Sequence, residues 1–207
     1  MILQLYFFIL NCYIDKRRFK CSLELLNMNE DIRTLLADIS KNDMHAFGIL
    51  YDSLARSVLN YAYVITKNKQ MAEDITHDVF LQIYQKAMKI EKAPDPIAYI
   101  MVIVRNYSFN AIKRENRLTS LEDNSINNTV PASQYDRLLF EEIFNTLPVN
   151  QSETVYLHLI CGYKHKDIAT IQNVPLVTVK WRYRQAVSKL REYFTQNEMG
   201  VNCNEHI

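Results

Sequence analysis

Residues 162–191 read GYKHKDIATIQNVPLVTVKWRYRQAVSKLR, and their spacing divides them into two helices around a short break. Ile168, Ala169 and Ile171 give the first helix an apolar side. Asn173-Val174-Pro175 then interrupts it, because proline lacks a backbone donor and pushes the residue before it away from the helical region. Leu176, Val179, Tyr183, Ala186 and Leu190 recur on one side of the second helix. Its opposite side carries Thr178, Lys180, Trp181, Arg182, Arg184 and Gln185. A helix-turn-helix has this organisation: its second helix is apolar toward the core and offers donors to base edges and phosphates on the other side.

Charge agrees with that reading. The segment holds Lys164, Lys166, Lys180, Arg182, Arg184, Lys189 and Arg191 against Asp167 alone, so seven cations and one anion leave +6 in thirty residues. The whole chain carries 24 Lys and Arg against 23 Asp and Glu, a net +1, which gives no global steering toward nucleic acid. A charge run alone more often marks a solvated basic helix. Here the break has helix-turn-helix length, and glutamine and arginine supply base-edge chemistry, Gln for adenine and Arg or Lys for guanine. Trp181 is expected to be partly exposed, on thymine methyls or between helices.

Outward from this segment, the 207 residues suit one or two domains. The composition is 48% hydrophobic and 23% charged with only three glycines, that of an ordered chain poor in the turns a many-stranded fold needs. The expected fold class is therefore all-α, with two small helical domains joined by a flexible linker.

From Asp31 to about Arg114 the pattern is helical. Ile32, Leu35, Leu36 and Ile39 share a face, as do Phe47, Leu50, Tyr51, Leu54 and Val58. Lys67-Asn-Lys-Gln70 marks one turn, and Pro94 and Pro96 in Glu91-Lys-Ala-Pro-Asp-Pro96 end another helix. The next helix is predicted from Ile97 to Arg114, with Ile100, Ile103, Val104 and Ile112 toward the core.

Residues 116–134 lose the periodicity and become rich in Asn, Ser and Thr, which reads as a linker. The domains are then 28–115 and 135–195, the second opening with an acidic helix over Tyr135–Asn145 and an apolar one over Ser152–Cys161, and 196–207 is a tail. Met1–Ile14 is apolar, yet no basic residue precedes it and no small-residue cleavage site follows. It is also shorter than the ~20 residues needed to span a bilayer. Residues 1–27 are accordingly expected to be an upstream extension that need not belong to the native protein.

Cys12, Cys21, Cys161 and Cys203 form no pair at zinc-ligand spacing and are too few for a disulfide scaffold, so free thiols in a reducing cytoplasm are expected. Neither a metal, a cofactor nor a catalytic residue is assigned, and the chain does not read as an enzyme. An enzyme would have to recruit Glu141 and Glu142, or His158, Cys161 and His165, but Glu141 and Glu142 are adjacent on a helix and point apart, and His158 and Cys161 sit on an apolar helix without a third partner.

The order of motifs resembles the extracytoplasmic-function group of the sigma-70 family of bacterial sigma factors, over about Asp43 to Phe194. The match runs through Ala72-Glu73-Asp74-Ile75-Thr76-His77-Asp78-Val79-Phe80, the proline-flanked loop, an Arg-Asn helix ending in basic residues, Ser120-Leu-Glu-Asp123, Leu147-Pro148 and the terminal helix-turn-helix. Tyr99 stands where many members carry tryptophan, Asn110 where an acid is frequent, and Val177 where glycine is usual.

The resemblance implies a factor that directs core RNA polymerase to promoter DNA and assists its opening. Asp74, Asp78 and Gln82 would meet the clamp coiled coil of the largest polymerase subunit, Asp74 and Asp78 lying one turn apart on one helix face. Their bland explanation, compensation of the helix dipole, accounts for Glu73 and Asp74 in a first turn but less well for Asp78. Tyr99, Arg105, Asn106, Asn110, Lys113 and Arg114 would serve melting and reading of the −10 element. The loop over 89–96 would capture a flipped base, which needs a pocket and stacking partners. Thr178, Lys180, Trp181, Arg184 and Gln185 would approach the −35 element, with Arg182 on a phosphate. Polymerase contact would extend to the flap region, and an anti-sigma factor would hold the protein inactive. The alternative is a stand-alone helix-turn-helix regulator that does not bind core polymerase. Response regulators of that kind begin with alternating strands and helices, a pattern that residues 28–115 lack.

Overall fold

The computed structural model of the protein describes residues 30–118 and 134–201. The N-terminal extension, nearly all of the linker and the end of the tail lie outside them. The described residues are helical and fall into two compact units.

The first unit holds α1 (Glu30–Ile39), α2 (Met44–Thr66), α3 (Lys69–Glu91) and α4 (Pro96–Leu118). Short polar residues set its turns. The Asp43 carboxylate accepts from the His45 and Ala46 amides at 2.8 and 3.2 Å and caps α2. Lys67 takes the left-handed conformation at φ 55°, and Asn68 next to it caps α3 by accepting from the Met71 amide at 3.1 Å. Such caps satisfy donors that a helix start leaves unpaired. Pro94 lies in the loop after α3, whereas Pro96 opens α4. There its missing N–H costs nothing, and Asp95 caps the helix by accepting from the Ala98 amide at 2.9 Å.

These helices bury a common core of Ile32, Leu36 and Ile39 from α1, Leu50, Leu54, Val58 and Tyr61 from α2, Ile75, Val79 and Ile83 from α3, and Ile100 and Val104 from α4. Each such side chain contributes about 1.5–3 kcal/mol. Phe47, Tyr51, Phe80 and Tyr84 close one side, with ring centroids 4.5–6.3 Å apart.

The buried stripe of α4 differs from the one predicted. Ile100 and Val104 are in the core, but Ile103 and Ile112 are only half-buried, and the stripe runs through Ile97, Met101, Ser108 and Ala111 instead. At about 100° per residue, Ile103 points well away from the line through Ile97, Val104 and Ala111. Ser108 can lie in that line because its hydroxyl donates to the Val104 carbonyl at 2.9 Å.

The second unit holds α5 (Gln134–Thr146), α6 (Val149–Val155), a π-helical turn (Tyr156–Ile160), α7 (His165–Gln172) and α8 (Leu176–Val201). Ile143, Phe144, Leu147, Val155, Tyr156, Leu157, Ile168, Ile171, Val179, Ala186 and Leu190 form its core. The single helix predicted over 152–161 starts earlier, at Val149, and changes to π geometry at Tyr156, where the Cys161 amide reaches back to the Tyr156 carbonyl at 3.1 Å. Gly162 ends this turn at φ 76°, a conformation that a side chain disfavours. No described helix is long and apolar enough to cross a membrane.

Candidate nucleic-acid interface

The break between α7 and α8 is built by local backbone bonds. Asn173 takes the left-handed conformation (φ 53°, ψ 52°), its amide bonds the Thr170 carbonyl at 3.2 Å, and the Val174 amide bonds that of Ala169 at 3.0 Å. This Schellman pattern closes α7 and reverses the chain. Pro175 then accepts from the Thr178 and Val179 amides at 2.9 and 3.3 Å and starts α8. The positive φ of the turn is supplied by Asn173, and Val177 lies within α8 and is exposed.

Val179, Ala186 and Leu190 bury the inner side of α8, with Tyr183 half-buried and Leu176 partly exposed. Lys180, Trp181, Arg184 and Gln185 project outward, and Thr178 is half-buried at the edge. Trp181 is thus partly exposed, as expected. Arg182 is placed differently. Its Nη1 donates to the amide oxygen of Gln172 at 2.9 Å, and the Gln172 amide in turn donates to the Thr154 hydroxyl at 3.1 Å. Gln172 is 2% exposed, so Arg182 fastens α8 to α7 and α6.

His158, His165 and Tyr183 meet beneath α8. The two imidazoles stack at 4.3 Å, and the phenol ring lies 4.8 and 5.0 Å from them. His158 Nδ1 bonds the Tyr163 carbonyl at 2.8 Å. Burial, then His158 and Lys180 nearby, hold His165 below its ordinary value of 6.5. Burial pushes the Cys161 thiol up to about 12.

In the first unit, Tyr99, Asn106, Asn110 and Lys113 follow one line along α4, opposite its buried stripe, with Arg114 beside them. Tyr99 is half-buried and the other four are exposed. Arg105 lies off this line, its guanidinium 4.6 Å from the centre of the Phe109 ring. The loop before α4 is gripped from a distance in sequence: Arg33 on α1 donates to the carbonyls of Glu91, of Ala93 at 2.7 Å and of Pro94 at 2.9 Å.

On α3, Asp74 and Asp78 are exposed and one turn apart. The Asp78 charge lies near Tyr107 of α4, whose phenol is raised above 10.0 first by burial and then by that carboxylate. Gln82 is half-buried and donates to Gln85 at 3.1 Å. The line through Asp74 and Asp78 continues along exposed Leu81, Gln85 and Met88.

Comparison with known proteins now decides the family. The model of sigma-70 region 2 matches residues 50–118, and that of sigma-70 region 4 matches residues 137–190. Together they cover more than half of the chain. The chain is a sigma-70 family factor of the extracytoplasmic-function type.

This sigma factor is 22% identical over 172 residues to the ECF RNA polymerase sigma factor SigK of Mycobacterium sp. (strain JLS), covering 78% of the present chain and 89% of that one. It is 26% identical over 161 residues to the ECF RNA polymerase sigma factor SigL of Mycobacterium tuberculosis (strain CDC 1551 / Oshkosh), covering 73% and 89%. The fold resembles that of the sigma factor RpoE from Bartonella quintana, solved in complex with the anti-sigma factor NepR. The TM-score is 0.63 at 21% identity, over 72% of this chain and 96% of that one. CnrH, solved in complex with the cytosolic domain of CnrY, matches with a TM-score of 0.58 at 16% identity, over 80% and 98%.

Three residues of the sigma factor's surfaces escaped the sequence reading. Leu81 and Met88 are apolar and exposed, and their signal was a helix position facing away from the core stripe. Arg33 left no signal, because its partners are backbone carbonyls 58–61 residues away.

Proposed function

We propose that this sigma factor divides promoter recognition between its two units. The first, assigned to 28–115, docks on core RNA polymerase through Asp74, Asp78 and Gln82 on α3. It opens and reads the −10 element with Tyr99, Arg105, Asn106, Asn110, Lys113 and Arg114. The second, assigned to 135–195, reads the −35 element with Thr178, Lys180, Trp181, Arg184 and Gln185, and residues 116–134 link the two. Arg182 contributes by holding the recognition helix in place. The observation that carries this reading is the outward side of α8, which follows a closed turn and presents Lys180, Arg184 and Gln185 to solvent.

The partners follow from the family: core polymerase at the clamp coiled coil and flap region, promoter DNA, and an anti-sigma factor, a partner of the kind with which RpoE was solved. The site of action is the cytoplasm, where polymerase and promoter meet. The role is one of binding and positioning rather than catalysis. A stand-alone regulator is not favoured, because residues 50–118 match the sigma region rather than a receiver domain.

Reconstitution with core RNA polymerase tests this. Residues 28–207 should bind core and support initiation at a subset of promoters. Absence of both core binding and specific initiation would overturn the reading.

A further inference from the structure

We propose that Val177 and Trp181 form an apolar edge of α8 that reads thymine C5-methyl groups in the −35 duplex. The inference rests on the reading of α8 as the promoter helix and adds the base feature it selects. Val177 is 75% exposed and Trp181 53%, although the inner side of α8 offers a packed core. The two are one turn apart on the outward side, with Lys180 between them in sequence and Arg184 and Gln185 on the next turn.

The position of this edge argues for duplex DNA as its occupant. The first residues of a recognition helix come nearest to base edges, and Val177 is the second residue of α8. Within the major groove, the C5-methyl of thymine is the one apolar group a base edge presents. It lies beside the adenine N6 and N7 groups that a glutamine reads in a bidentate manner. Trp181 and Gln185 are i and i+4 on the same helix, so ring and amide project side by side, as the two halves of a T·A pair are displayed. The flanking cations match a phosphate-lined groove rather than an apolar protein partner.

The test uses the holoenzyme formed by the full chain and core polymerase. Promoter duplexes are selected from a pool randomised over the −35 region, and the winner is remade with each thymine in turn replaced by deoxyuridine. That replacement removes one methyl and leaves the protein untouched. Selected duplexes should share at least one thymine whose replacement weakens binding about three- to five-fold, the worth of one buried methyl. Val177→Ala or Trp181→Ser should weaken binding to the thymine duplex and abolish its preference over the deoxyuridine one.

Three results would overturn the proposal: no shared thymine, no effect of deoxyuridine at any position, or variants that weaken both duplexes while keeping the methyl preference. Arg184→Ala and Gln185→Ala separate this failure from that of the underlying reading. If they still lose sequence discrimination, α8 reads the promoter without its apolar edge. If they too change nothing, α8 is not the promoter helix and both inferences fall.

Discussion

Arg182 and Gln172 are joined by a 2.9 Å hydrogen bond from the guanidinium Nη1 to the amide oxygen. Gln172 passes the connection to the Thr154 hydroxyl, which donates to the Asn150 carbonyl at 2.8 Å. A charged group on the recognition helix is therefore the last link of a polar chain that begins in α6, and its removal strands an acceptor inside the protein.

Arg182→Ala should destabilise the second unit by about 1–3 kcal/mol, the cost of an unsatisfied buried acceptor. Urea unfolding followed by the fluorescence of Trp181, the only tryptophan in the chain, isolates this unit. The salt dependence of promoter binding should barely change, because the bonded Arg182 guanidinium is not spent on a phosphate. An unchanged urea midpoint would contradict the bond's role.

Asp74→Lys combined with Asp78→Lys should weaken core binding at least ten-fold, because it reverses both carboxylates on one exposed stripe of α3. Binding of an isolated −35 duplex should stay the same. Leu81→Ser, further along that stripe, should act in the same direction with no loss of stability. Equal loss in the core and duplex assays would show that the stripe supports folding rather than docking.

Arg33→Lys should loosen the loop over 91–95, since an ammonium cannot match a planar fork that serves three carbonyls. The first unit should lose about 1–3 kcal/mol, and the Ala93 and Ala98 amides should exchange with solvent faster than in the parent. Unaltered exchange at both amides would rule out the clamp.

The second unit should weaken as pH falls below neutrality. His165 is held below its ordinary 6.5 in the folded protein, while the unfolded chain takes up the proton near 6.5. The unfolded state thus binds more protons in this window, and stability is lost from about pH 7 downward until the folded state also protonates. His165→Phe keeps an aromatic ring against Tyr183 and should flatten this dependence, read as the difference in urea midpoint between pH 7.5 and 5.5. The same slope in parent and variant would exclude His165 as the cause.

Much of this was legible in the chain, and the reason is local. The Lys67-Asn-Lys-Gln70 turn and the two prolines act on backbone within a few residues of themselves, and the α8 pattern of Val179, Ala186 and Leu190 repeats at the helical period. What was not legible depends on distance or on register. His158 stacks on His165 across the break at Gly162, a contact between two separate elements that periodicity within either one does not reach. The inward use of Arg182 depends on a buried Gln172 that periodicity treats as one more polar residue.

Helix α1 lies wholly before residue 50, where the resemblance to sigma-70 region 2 begins. Yet it contributes Ile32, Leu36 and Ile39 to the core and the side chain that grips the loop after α3. The stretch that the region 2 model matches is thus shorter than the stretch that folds. A fragment cut at the boundary of the shared motif would expose the apolar faces of α2 and α3, and would be a poor choice for crystallisation or for a two-hybrid bait.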